Sequence, residues 1–145
     1  MSKFIVIVGC GRLGASLAGE LSREGHSVVV IDKRETAFSA LPSDYSGFRV
    51  QGDASQHLVM KSAGANRADI FIAATSEDNL NLMVAQVASE VFGVPIVMAR
   101  VLDPEKQKAY ADLRIRTICP TAVAANLFLE TLQFLEALGT AGAKQ

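Results

Sequence analysis

Residues 4–21 read FIVIVGCGRLGASLAGEL, and this stretch decides the fold. Phe4 to Val8 is a continuous β-branched and aromatic run, as expected of a strand buried on both faces. Gly9, Gly11 and Gly14 follow at once, and Leu13, Leu17 and Leu21 then recur at helical spacing. Strand, glycine turn and amphipathic helix make the opening of a βαβ unit. In such a turn Gly9 ends the strand and Gly11 leaves the main chain bare for a close approach. Gly14 lets the helix pack against the sheet. The helix start presents unpaired N–H groups and a partial positive charge, a natural seat for phosphate.

The rest of the chain repeats the alternation. Strands are expected at 4–8, 27–31, 48–50, 69–73, 95–99 and 115–118, with helices near 12–24, 34–41, 55–63, 77–92, 104–111 and 120–138. Strands without a polar face, separated by helices, predict a parallel sheet between two helix layers. The expectation is an α/β doubly wound Rossmann fold with a six-stranded sheet and a C-terminal dimerisation helix. One domain over 1–138 and a flexible tail at 139–145 account for the 145 residues.

Composition bounds the function. Half of the residues are hydrophobic and the formal net charge is −1, so nothing electrostatic points to nucleic acid or an anionic membrane. Cys10 and Cys119 lack the spacing of a zinc site or redox pair. The N-terminal apolar run is too short for a secretory signal, and no long apolar stretch predicts a membrane span.

An acid stands where the glycine turn needs one. Asp32 ends the second strand, 18 residues beyond Gly14, where a carboxylate accepts the hydroxyls of an adenosine ribose. It would repel a 2′-phosphate, although the adjacent Lys33 and Arg34 could hold one, or simply start a solvated helix. Arg12, inside the turn, is a planar cation suited to a pyrophosphate or a terminal phosphate, or else an exposed helix-start arginine. Cys10 reads as a small turn residue, with a thiol activated by the helix terminus as the alternative.

Further segments add specificity: GDAS at 52–55, FIAATSEDNLN at 71–81, VMARVLDPE at 97–105 and IRTICP at 115–120. Together with the glycine turn and Asp32, they resemble the TrkA-N (RCK N-terminal, or KTN) family over about residues 3–135. These are nucleotide-binding domains of cytosolic subunits and gating rings that regulate bacterial potassium transporters and channels. The resemblance implies NAD or NADH, or alternatively ADP, ATP or AMP, as the bound adenine nucleotide. It implies Asp53, with Gly52 and Ala54, beside the adenine, although Asp53 also reads as a turn or helix-capping residue. Ala74 and Thr75 would line the cleft. Leu13 falls within the glycine segment itself, and Arg100 would face the phosphates, or else pair with Asp103 or Glu105. Some members carry Pro-Glu after the sixth strand; this chain has Pro120-Thr121 and lacks that acid.

The last predicted helix, 120–138, gathers Asn126, Glu130, Gln133 and Glu136 on one side. Apolar residues take the other roughly 240°, whereas a helix covering one sheet needs only about a 100° stripe. The surplus, including Leu127, Phe128, Leu132, Leu135 and Leu138, reads as a subunit interface, with burial in the monomer's own core as the alternative. The resemblance agrees, implying a homodimer or higher ring acting on an integral membrane potassium transporter or channel from the cytoplasmic face. Catalysis finds little support. His26 precedes the second strand, at the far end of the sheet. His57 reads as a surface histidine. Ser76, Glu77, Asp78 and Asn79 serve as helix-capping residues as readily as ligand contacts. The remaining alternatives are a small NAD-dependent oxidoreductase domain completed by another chain and a regulatory module of another membrane cation exchanger.

Overall fold

A computed structural model describes residues 1–111 and 113–139. Six parallel strands form one sheet in the order β3-β2-β1-β4-β5-β6. They are β1 (Phe4–Val8), β2 (Ser27–Asp32), β3 (Phe48–Gln51), β4 (Ile70–Ala73), β5 (Ile96–Arg100) and β6 (Arg116–Ile118). The chain reverses its direction of winding between β1 and β4, and open α/β sheets bind ligands at that crevice. The helices are α1 (Arg12–Arg23), α2 (His57–Ser62), α3 (Asp78–Glu90), α4 (Pro104–Ala109) and α5 (Pro120–Gly139).

The central strands have the continuous apolar character that two-sided burial demands. Ile5, Val6 and Ile7 of β1 and Val30 and Ile31 of β2 are wholly buried. Val6, Val8, Ile31 and Phe71 join one core with Met60 of α2 and Val84, Ala85 and Ala88 of α3. Ile5, Ile7, Val28 and Val30 face the opposite layer, against Ala15 and Ala18 of α1 and Tyr45. The β1–β2 register sets Val8 against Ile31, so the first turn and Asp32 emerge side by side at the carboxyl edge.

One expectation changes and one alternative falls away. The predicted helix at 34–41 is a 3-10 segment, Glu35–Ala40, with no buried residue. Leu41 leaves it in extended geometry and Pro42 follows, so there is no run of apolar positions long enough to hold an α-helix against the sheet. The predicted helix at 120–138 forms as α5, but it covers no sheet and buries none of its residues. This rules out burial in the monomer's own core and leaves the full apolar surface outward. Phe128 is 77% exposed, Leu127 61% and Leu138 65%. Gly139 still belongs to α5; the remainder of the expected tail, 140–145, lies outside the described residues. No described helix is long and apolar enough to cross a membrane.

Candidate nucleotide site

The site is built at the carboxyl edge of β1, β2, β4 and β5, where the glycine turn changes the direction of the chain. Gly9 has φ +104°, and a Cβ there would meet the Thr75 amide nitrogen at 2.9 Å. Glycine is therefore demanded twice at this position, by its left-handed backbone and by the close approach of the β4 end. Gly14 is equally constrained: a Cβ would collide with the Gly9 carbonyl. Gly11 differs from both. A Cβ there meets nothing within 4 Å, and Gly11 lines the cleft. Gly11 is also the N-cap of α1. The first bond to the helix runs from the Ala15 N–H to the Gly11 carbonyl, so the amides before it lack intrahelical acceptors.

Asp32 holds this turn in place. Its Oδ2 accepts the Cys10 N–H at 2.8 Å and its Oδ1 accepts the Arg34 N–H at 2.9 Å. A carboxylate has about four lone-pair sites, so each oxygen keeps capacity for a sugar hydroxyl. Opposite lies Asp53, whose Oδ1 accepts both the N–H and the hydroxyl of Ser55, at 2.9 and 2.7 Å. Those bonds, with Lys33 nearby, hold the Asp53 carboxyl below its ordinary range. Asp53 is thus a turn residue, and the N-cap of α2 is Gln56.

The resulting cleft has a volume of about 530 Å³. Of the residues singled out in the sequence, it gathers Gly9, Gly11, Arg12, Asp32, Lys33, Arg34, Gly52, Asp53, Ala54, Ala74, Thr75 and Arg100. Cys10, Leu13 and Gly14 do not line it. The Cys10 side chain turns into the core beneath α1 and is 1% exposed. Burial, with Asp32 beside it, pushes its thiol up to about 11, the reverse of an activated thiolate. Gly14 contributes by its lack of a side chain.

Arg100, the last residue of β5, meets neither Asp103 nor Glu105 in an ion pair among the described residues. Asp103 instead caps α4 by accepting the Glu105 N–H at 2.9 Å. Among the described residues, the Arg100 Nε is buried and has no hydrogen-bond partner. A buried donor left without an acceptor in a ligand cleft is the feature a bound anion would resolve.

Ser76 and Glu77 also line the cleft. Asp78 does not. Its carboxylate accepts the N–H groups of Leu102 at 2.7 Å and Asp103 at 3.0 Å, tying the start of α3 to the segment after β5. His57 stacks on Phe92, with ring centroids 4.8 Å apart, away from the cleft. His26 accepts the Lys3 N–H at the opposite edge of the sheet. No cluster of metal-ligating side chains occurs among the described residues.

The sequence reading missed Asn81. It is wholly buried in the first turns of α3 and makes four hydrogen bonds. Its Oδ1 accepts the N–H and hydroxyl of Thr75, at 3.0 and 2.6 Å. Its Nδ2 donates to the carbonyls of Thr75 and Arg100, both at 2.9 Å. The available signal was its spacing: Asn81, Ala85 and Ala88 share one helix face, and a polar residue on a core face needs partners.

Comparison with known proteins decides the family. The TrkA-N domain model matches residues 5–120. The chain belongs to the TrkA-N domain family. It is 41% identical over 128 residues to the Trk system potassium uptake protein TrkA of Streptomyces coelicolor, a match that covers 88% of this chain and 57% of that protein. This TrkA-N chain therefore corresponds to less than two thirds of the relative's length. Among solved structures, the TrkA-N domain of the inner membrane protein ybaL from Escherichia coli superposes with a TM-score of 0.79. It has 22% identity and covers 91% of this chain and 98% of that one, which supports the fold. The GsuK channel bound to NAD superposes with a TM-score of 0.75 at 25% identity, covering 94% of this chain and 24% of that one.

Proposed function

We propose that this TrkA-N domain is a nucleotide-responsive regulatory domain of a potassium uptake system, a binding domain and not a catalyst. An adenine nucleotide, NAD(H) or alternatively ADP, ATP or AMP, seats in the cleft. Its phosphates face the open Gly11 backbone, Arg12 and Arg100, its ribose meets Asp32, and its adenine lies towards Asp53. Asp32 favours the unphosphorylated ribose of NAD over that of NADP.

One observation carries the reading: Arg100, whose buried Nε has no partner among the described residues, lines the same cleft as Gly11, where a Cβ would meet nothing within 4 Å. Both features favour an anion. The likeness to an NAD-bound channel and to a potassium uptake protein supports the class of ligand and of partner.

The output is assembly. The apolar surface of α5 seats a second copy of the chain, giving a homodimer or ring that works on the cytoplasmic face of a potassium transporter or channel. Nucleotide shifts the arrangement only through its different affinity for the two states. Titrating NAD, NADH, ADP and ATP into the protein, with calorimetry for binding and sedimentation for size, tests both parts. Binding of at least one nucleotide with a change in assembly is expected. No binding at saturating concentrations overturns the reading, and turnover of NADH with carbonyl substrates replaces it with an oxidoreductase.

A further inference from the structure

The Arg100 Nε, without a partner among the described residues, belongs to a residue whose backbone is held by another element. We infer that Asn81 is the positioning residue of the phosphate end of the cleft, acting through Arg100; this rests on the nucleotide reading above.

β4 and β5 are neighbours in the sheet and pair from Ile70–Ile96 to Ala73–Ala99. Beyond Ala73 the ladder stops, and the two strand ends would be free to part. Asn81 spans them at that point. One side-chain NH2 donates to the carbonyl of Thr75 beyond β4 and to the carbonyl of Arg100 at the end of β5. The Oδ1 of the same side chain takes the Thr75 N–H and hydroxyl. An asparagine is suited to this work because its amide offers two donors and an acceptor on one short, planar group. Asn81 is wholly buried and does not line the cleft, so it acts on a ligand only through the residues it holds.

The consequence is selective. Thr75 stands against Gly9, and Arg100 supplies the cation, so the Asn81 clamp governs the anion-facing wall. Asp32 and Asp53 lie on the other side of the β1–β4 crevice and are held by the Cys10, Arg34 and Ser55 bonds instead. Loss of the clamp should therefore weaken the hold on phosphate and spare the nucleoside.

The test is a double-mutant cycle of Asn81→Ala and Arg100→Ala, read with ADP and with adenosine. Each single variant is expected to weaken ADP by about tenfold or more, as for a hydrogen bond to a charged group, and to leave adenosine unchanged. The double variant should lose clearly less ADP affinity than the sum of the two single losses. Equal loss of ADP and adenosine, or fully additive losses, overturns the inference while the nucleotide reading stands. Failure of the wild-type protein to bind either molecule overturns both.

Nuclear magnetic resonance on the wild-type chain covers the case in which Asn81→Ala does not fold. The Asn81 side-chain NH2 signals should move with ADP and stay with adenosine, and Arg100→Ala should abolish the movement. Signals that stay with ADP, or move equally with both, overturn the inference.

Discussion

Asp32 accepts the Cys10 amide at 2.8 Å, so the residue that would grip the sugar also braces the glycine turn. The second oxygen takes the Arg34 amide. Asp32→Ala removes both acceptors. It is expected to weaken nucleotide binding by about 1–3 kcal/mol and to lower the urea midpoint as well. Calorimetry and urea unfolding on the same preparation measure the two effects. Unchanged affinity would contradict a role at the ribose.

Gly11 and Gly14 separate function from folding. Gly14→Ala forces a Cβ into the Gly9 carbonyl and should destabilise the domain by about 1–3 kcal/mol, the usual range for overpacking. Gly11→Ala meets open space, so its melting temperature should stay close to wild type. Because Gly11 lines the cleft, the added methyl group should lower nucleotide affinity. Thermal unfolding with and without ligand distinguishes the pair.

Both cysteines are buried and free. The native chain should react slowly with a thiol reagent at pH 8 and at once in denaturant. Alkaline stability follows from Cys10. Its native pKa, about 11, lies above the ordinary value of 9.0. The unfolded thiol therefore loses its proton first as pH rises. The contribution is complete below pH 9 and is lost between pH 9 and about 11. Cys10→Ala should show a shallower fall in the urea midpoint across that interval.

Asp78 fastens α3 to the segment after β5 through the Leu102 and Asp103 amides. Asp78→Ala should increase hydrogen exchange at those two amides, leave the β1 amides protected, and cost about 1–2 kcal/mol. Amide exchange followed residue by residue resolves this.

The exposed apolar residues of α5 predict a self-association surface. Phe128→Glu combined with Leu135→Glu should shift sedimentation towards the monomer while nucleotide affinity persists. A wild-type chain that sediments as a monomer at high concentration would contradict that use of the helix.

Sequence patterning was most informative where burial is two-sided. The runs at Phe4–Val8 and Val28–Ile31 can satisfy their apolar surface only between two layers, which implies parallel strands and hence a crevice at their carboxyl edge. The glycine spacing was legible for a similar reason, because Gly9 and Gly14 exclude side chains that would clash. Asn81 was not legible from type alone, since asparagine in SEDNLN reads equally as a helix-start residue. Its importance arises from Thr75 and Arg100, brought together by strand pairing. Cys10 was legible only as a small turn residue; that its side chain packs into the core beneath α1 came from the fold. For α5, the width of the apolar face was visible, but not that the helix would leave the sheet entirely.

An uncovered α5 has a thermodynamic cost. A helix of 20 residues that buries none of them draws almost no support from the body of the domain. Its order and its company are then one equilibrium, and dilution should unwind it. Far-ultraviolet circular dichroism ought to lose helical signal as the protein is thinned, while the nucleotide cleft, anchored in the sheet, stays whole.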